Sequence, residues 1–444
     1  MTKQQTRQTP ADRATTLGLR LLNAASALPV MSDPKVRKRV EKFLYNGTRT
    51  GFKAETVARK TFKKVSGGGN APARAKTTKP KQVFDLTPTD DQQMIQEAAR
   101  ELAATVLRPA AQDADAARVV PDSVKEQASE LGLALLGVPD ELGGIAEERS
   151  AVTGVLVTEA LAHGDIGLAA ALLAPAAVAT AIANYGDADQ QATYLPAFTE
   201  DEQPPHAALA IQEPQPLFDA LAPKTTGTIS GDQLTLNGTK ALVANAPEAA
   251  LFVVSATIDG TARLVIVEPG LDGLTTEEDP AMGVRAAATS RLNLENVVVP
   301  KANILGTAED HVDAVRRARL GWAAAAVGGA QAALDQLIPY VKERKAFGEP
   351  IAYRQAVAFT IADIAIELDG LRLVVLRAAS RLDAGQDASH QIAHARQLAS
   401  TYATQIGSHA VQLLGGHGYI KEYPNERWYR DLRGTGVLEG TLLV

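Results

Sequence analysis

Thr228-Ile229-Ser230-Gly231-Asp232-Gln233-Leu234-Thr235-Leu236-Asn237-Gly238 alternates apolar or β-branched residues with polar ones and carries two turn-forming pairs. A period of two marks half-buried strands, and Gly-Asp and Asn-Gly are pairs that tight hairpins favour, so strands joined by hairpins are predicted here. Leu251-Phe252-Val253-Val254, Leu264-Val265-Ile266-Val267 and Val297-Val298-Val299-Pro300 continue the pattern. Together they predict a β unit of about 100 residues, 208–306.

On both sides the period changes to 3.6. Upstream, Thr89-x-x-Gln92 has the form of a capping box ahead of Ile95, Ala98, Leu102 and Val106, whose spacing predicts a helix that Pro109 stops. Further helical pattern covers 124–136 and 151–185, and after the β unit it returns over 314–344, 353–382 and 390–414. The predicted order is a helical domain at 84–207, the β domain at 208–306 and a second helical domain at 307–444, an α+β chain. Residues 1–83 stand apart as a basic extension and linker. Val65 to Lys76 is rich in glycine and small residues, and residues 1–82 hold 19 Lys and Arg against 4 Asp and Glu. With a net charge of −6 overall, that leaves +15 in the first 82 residues and −21 in the rest.

Composition excludes several kinds of chemistry. Without cysteine there is no disulfide, thiolate nucleophile or sulfur-ligated metal, and seven scattered histidines suggest no metal site. No uninterrupted apolar run approaches the roughly 20 residues of a membrane span; the best, 166–183, is rich in small residues and has acidic neighbours, so a soluble protein is expected. The basic blocks Lys35 to Lys42 and Arg59 to Lys64 suit an anionic membrane surface, at about 1 kcal/mol per nearby cation, or simply a solvated tail. Nucleic acid is not expected, because no recognised nucleic-acid fold accompanies the charge. A bacterial cytoplasmic location is expected, peripheral membrane contact through 1–83 remains open, and an organellar, mitochondrial, location is the alternative.

Several motifs add a family resemblance. Leu131-Gly132-Leu133-Ala134-Leu135-Leu136-Gly137-Val138-Pro139, Met282-Gly283-Val284-Arg285 and Asn303-Ile304-Leu305-Gly306 lie at the domain joints. The more specific ones are Glu343-Arg344-Lys345-Ala346-Phe347-Gly348-Glu349-Pro350-Ile351, Gln412-Leu413-Leu414-Gly415-Gly416-His417-Gly418-Tyr419, Arg430-Asp431 and Glu439-Gly440-Thr441. From about Phe84 to Val444 the chain resembles the acyl-CoA dehydrogenases, which implies an N-terminal helical domain, a middle β-barrel domain and a C-terminal four-helix bundle.

The resemblance also implies FAD, a homodimer or homotetramer, and α,β-dehydrogenation of a fatty acyl-CoA with electrons passed to an electron-transfer flavoprotein. It makes Glu439 the base, and its backbone N–H a donor to the thioester carbonyl. Arg344, Phe347, Gln412, Gly415, Gly416, Thr441 and Gln212 become cofactor contacts, Arg344 to the flavin of a neighbouring subunit; Arg319 and Gly440 become substrate contacts. Ala318 stands where a minority of the family carries the base, so Glu439 is the only family-matched candidate. Plainer readings stay open: Arg344 as a helix-end cation, Gly415 as a helix cap, Arg319 as a solvated side chain, and Glu439 as a carboxylate tied into a turn.

Two segments depart from the family pattern. Its Thr-Glu-Pro and small-residue flavin loop becomes Gln212-Glu213-Pro214-Gln215-Pro216-Leu217-Phe218-Asp219, where Phe218 would narrow the pyrophosphate channel. Its Lys-x-Trp-Ile-Thr-Asn becomes Lys240-Ala241-Leu242-Val243-Ala244-Asn245, which removes a Trp and a hydroxyl from the flavin. They motivate an alternative, a degenerate subunit or scaffold that binds flavin weakly or not at all.

Overall fold

The computed structural model describes residues 86–144, 150–199 and 204–444. The basic extension, with the membrane and linker expectations that rest on it, lies outside the described residues.

The first helix, α1 (Asp90–Leu102), starts as its sequence requires. The Thr89 side chain accepts from the Gln92 N–H and the Gln92 side chain accepts from the Thr89 N–H, a complete capping box. Pro109 does not stop the helical path. A π turn, Ala103–Leu107, widens the backbone just ahead of it, and α2 (Arg108–Ala117) continues with the proline in its first turn, where no N–H is needed. After α3 (Asp122–Glu130) come α4 (Ala151–Gly164), α5 (Ile166–Tyr185) and α6 (Ala188–Tyr194). The helical pattern over 151–185 is thus two helices. Asp165 divides them in extended backbone, its carboxylate capping the Leu168 N–H of α5. At 20 residues α5 has the length and apolarity to cross a membrane, longer than the sequence reading allowed, but 89% of its apolar window is packed inside the protein.

The strands are β1 (Ala207–Ala210), β2 (Thr226–Ser230), β3 (Gln233–Val243), β4 (Leu251–Ile258), β5 (Thr261–Val267), β6 (Leu274–Glu278), β7 (Ser290–Pro300) and β8 (Ile304–Leu305). They form one sheet in the order β6-β7-β3-β2-β4-β5-β8, with β1 parallel to β4. The first predicted hairpin is present: Ser230 pairs with Gln233 across Gly231-Asp232, with Gly231 at φ +60°. The second is not. β3 runs straight through Asn237-Gly238, where a bulge shifts its register against β7. Asn237 is held across the sheet by Asn296, and a Cβ at 238 would stand 2.5 Å from Thr225 Oγ1, so the glycine serves close approach rather than a turn.

The last third is helical again, with α7 (Ala308–Glu343), α8 (Gln355–Asp383), α9 (Ser389–Leu398), a π turn at Ala399–Ala403, α10 (Thr404–Leu414) and α11 (Asn425–Thr435). Between α7 and α8, β9 (Lys345–Ala346) and β10 (Glu349–Pro350) make a small hairpin. One apolar cluster joins α1, α4, α5, α7, α8 and the last three helices; a second joins α5, β1, β4, β5 and the start of α7; a third fills the sheet. Because α7 takes part in the first two, it ties the helical bundle to the sheet.

Candidate active site

Three elements converge on the turn that follows α11. Arg319 comes from α7, Gln212 from the end of β1, and Glu439 sits four residues past Thr435. Gly440 at φ +76° and Thr441 at φ +65° bend the chain back onto β1, where the Thr441 N–H donates to Leu209 O at 3.1 Å. Trp322, buried on α7, donates its indole N–H to Gly440 O at 2.9 Å. These bonds fix the backbone on which Glu439 stands.

The Glu439 side chain is 10% exposed and ion-paired. Arg319 Nε lies 3.0 Å from both carboxylate oxygens, Arg319 Nη2 is 2.9 Å from Oε1, and Arg396 Nη2 is 3.3 Å from Oε1. The Glu439 N–H donates to Gln212 Oε1 at 2.9 Å, while the Gln212 carbonyl accepts from the Ala241 N–H of β3. Glu439, Gln212, Gly440 and Thr441 are therefore neighbours, with Arg319 beside them.

A second group lies at the far end of α7. A cavity of about 350 Å³ is lined by Tyr340, Arg344, Ile351, Gln412, Gly415, Gly416 and their neighbours. Arg344 is exposed, with no hydrogen bond or ion pair to its guanidinium among the described residues, and it follows the last residue of α7. A Cβ added at Gly415 or Gly416 would meet nothing within 4 Å, so both open onto the cavity. An unpaired guanidinium beside bare backbone fits the anionic and adenosine end of a dinucleotide cofactor. Phe347 does not line this cavity; it stands 96% exposed in the β9–β10 turn, with the Arg354 guanidinium 5.7 Å from its ring centre. Residues 319 and 344 are 25 positions apart, about 37 Å along one helix at 1.5 Å per residue. The two groups are thus separate regions of one chain.

The departing segments have structural roles that the sequence did not disclose. Phe218 is partly buried against the apolar cluster between α5, the sheet and α7, and Leu217, at φ +55°, is the side chain left fully exposed. Leu242, at φ +53°, packs against the helical core and donates its N–H to Asp279 Oδ2 at 3.1 Å. Ala244 is buried, and its carbonyl accepts from His206 Nε2 at 3.1 Å.

Sequence reading also missed the charge buried beneath the site. Lys240, with 0% of its side chain exposed, donates to Glu213 Oε1 at 2.8 Å and to Ser255 Oγ at 2.9 Å. Burial works against the charge of Glu213, but the Lys240 ammonium and hydrogen bonds from Lys240, Gln215 and Thr225 overcome it and hold its pKa at about 2. Burial brings Lys240 down to about 8 against the pull of Glu213. This pair ties the residue next to Gln212 into the sheet. A signal existed: a lysine at an inward position of an alternating strand needs a buried carboxylate.

A further network spans the domains. Arg430 forks onto Asp115 at 2.8 and 2.9 Å, Arg427 reaches Asp165 at 3.0 Å, and Asp431 accepts from the Val284 N–H at 2.6 Å. Burial first, and then the nearby Asp165 charge, push Asp431 well above the usual carboxylate range. Among the described residues no group of three or more His, Asp or Glu side chains is arranged to hold a metal ion.

Comparison with known proteins agrees with this arrangement. Residues 89–202, 208–297 and 312–443 match sequence models described as the N-terminal, middle and C-terminal domains of acyl-CoA dehydrogenase. Over 373 residues, covering 81% of this chain and 93% of its relative, the chain is 34% identical to an acryloyl-CoA reductase (NADH) of Anaerotignum propionicum. Over 365 residues, covering 79% and 86%, it is 34% identical to the mitochondrial short-chain specific acyl-CoA dehydrogenase of Mus musculus. The structure of butyryl-CoA dehydrogenase from Megasphaera elsdenii superposes with a TM-score of 0.74 at 29% identity, covering 80% of this chain and 95% of that one.

Proposed function

The chain belongs to the acyl-CoA dehydrogenase family, and from that premise we propose that it is an FAD-dependent enzyme that removes the α-proton and β-hydrogen of a fatty acyl-CoA, with Glu439 as the base. One observation carries the assignment. The Glu439 carboxylate is held at a stated place by Arg319, on a turn whose backbone is fixed by Trp322 and Leu209. A general base must be positioned before its basicity matters, and this one is. FAD, when bound, supplies the two-electron acceptor for the β-hydrogen.

The protein's own residues do the rest. Glu439 takes the α-proton, and Arg319 neutralises the carboxylate while it waits. In this reading the Glu439 N–H is the donor for the thioester carbonyl, an oxyanion-type contact, and Gln212 Oε1 occupies it until substrate arrives. Arg344, Gln412, Gly415 and Gly416 cradle the pyrophosphate and adenosine end of the cofactor. Thr441 lies too close to the base to join them and serves the flavin end, as does Gln212.

The separation of Arg319 and Arg344, about 37 Å of helix axis for 25 residues, supports a homo-oligomer. In this reading the flavin of one copy lies by its own Glu439 and meets Arg344 of a second copy. Phe359, Ile366 and Leu373, 58, 68 and 52% exposed, recur every seven residues on α8 and supply the apolar stripe that such a dimer or tetramer requires. Electrons then leave to an electron-transfer flavoprotein. Since one relative is named a reductase, the direction depends on the acceptor; the same base serves either direction. The relatives named above are enzymes, and no observation favours the scaffold alternative.

The test is anaerobic addition of a saturated acyl-CoA to purified protein carrying FAD. Wild-type protein is expected to lose its visible flavin band, and Glu439→Gln to keep both flavin and colour. Equal bleaching in the two would remove Glu439 from its role.

A further inference from the structure

Arg396 belongs to none of the motifs that carry the family resemblance, yet it touches the base. It stands on α9, two residues before that helix ends and gives way to the π turn Ala399–Ala403. Its Nη1 donates to Thr435 O at 2.8 Å and its Nη2 to Leu438 O at 2.7 Å, with Glu439 Oε1 3.3 Å from the same nitrogen. Thr435 is the last residue of α11 and Leu438 precedes the base, so both carbonyls lie where the helix has run out of partners. The same stretch is pressed against the π turn at Gly436, where a Cβ would stand 2.6 Å from Ser400 Cα. Arg396 is only 14% exposed, so its fork is held in place by packing.

The two carboxylate oxygens are treated unequally. Oε1 has Arg319 Nε, Arg319 Nη2 and Arg396 Nη2 within 3.3 Å, while among the described residues Arg319 Nε is the one hydrogen-bond donor to Oε2. We propose that Arg396 is a positioning residue for the base: it pins the turn through two carbonyls and occupies Oε1, so that Oε2 is the oxygen that takes the substrate proton. This rests on the reading of Glu439 as base. Arg396 itself need not touch substrate.

The test uses the full chain in three forms: wild type, Arg396→Met and Arg396→Lys. Hydrogen–deuterium exchange of the 433–441 segment reports the turn without reference to turnover. Acyl-CoA-driven bleaching, expressed per bound flavin, reports the base. In Arg396→Met the segment is expected to exchange at least about fivefold faster. Its bleaching rate at saturating acyl-CoA should fall by on the order of 100-fold, the effect of misplacing a reacting group by about 1 Å, while KM changes less than about threefold. Arg396→Lys keeps the charge without the fork and should fall between, and it carries the test if the methionine variant does not fold. Unchanged exchange, or a wild-type rate per bound flavin in a variant that has lost flavin or folded protein, would leave Arg396 a plain helix cap and overturn the inference alone. A wild-type protein that binds FAD and does not bleach overturns the reading of Glu439, and this inference with it.

Discussion

Lys240 keeps an ammonium with no exposed surface because Glu213 and Ser255 replace the water it has lost. Removing one partner of such a pair strands the other charge, so Lys240→Met is expected to cost about 3–5 kcal/mol in denaturant unfolding, and replacing Glu213 by Leu at the same time should recover part of it. Equal stability of Lys240→Met and wild type would show that Glu213 finds another partner. His311, also fully buried, has no hydrogen-bond partner for either ring nitrogen among the described residues, and burial together with the Lys240 charge lowers its pKa to about 4. Its folded pKa lies below its unfolded one, so the stability it contributes is present above about pH 6.5 and is lost as the pH falls through about 4. At pH 4.5 the loss should be on the order of 2 kcal/mol, and His311→Leu should lack it, read as a smaller drop in unfolding midpoint between pH 7 and pH 4.5. Parallel pH profiles for the two proteins would contradict this. At this scale the sequence singled out Glu439, Arg344 and the Gly415-Gly416 pair as candidates, because each sits in a short motif. Arg396 and the Lys240–Glu213 pair were not legible, because they meet their partners across 43 and 27 positions of sequence.

Elements were legible where local chemistry decides them. The Thr89 capping box and the Gly231-Asp232 hairpin formed as their residues require. Pro109 and Asn237-Gly238 were misread because their surroundings overrode them: a π turn makes room for the proline, and neighbouring strands carry Asn237-Gly238 onward as a bulge. In the altered segments at 212–219 and 242–245, Phe218 and Leu242 are partly buried against apolar clusters, which only the tertiary contacts reveal. The exposed stripe on α8 gives the element-scale prediction. Ile366→Glu puts a carboxylate in the middle of it and should lower the molar mass in solution to that of a monomer, with loss of bound FAD, since Arg344 would no longer reach a second copy. Light scattering that finds an unchanged oligomer with full flavin would remove α8 from the interface.

Across the whole molecule, one helix and one buried network hold the parts in register. α7 runs from the sheet to the cavity at Arg344, and Arg430 and Asp431 join the last helix both to Asp115 of the first helical region and to the Val284 N–H beside the sheet. The α, β, α order behind this was readable from the change of period alone. Its consequence was not: Arg319, which holds Glu439, lies about a third of the way along α7 and Arg344 just past its end, which is the ground for the proposal that two copies share a site. The most direct test of Glu439 as the base is an anaerobic titration of the FAD-loaded protein with a short saturated acyl-CoA, followed at the visible flavin band. Bleaching in wild type and its absence in Glu439→Gln that retains full FAD is the expected result; an identical response of the two, whether both bleach or neither does, would contradict it.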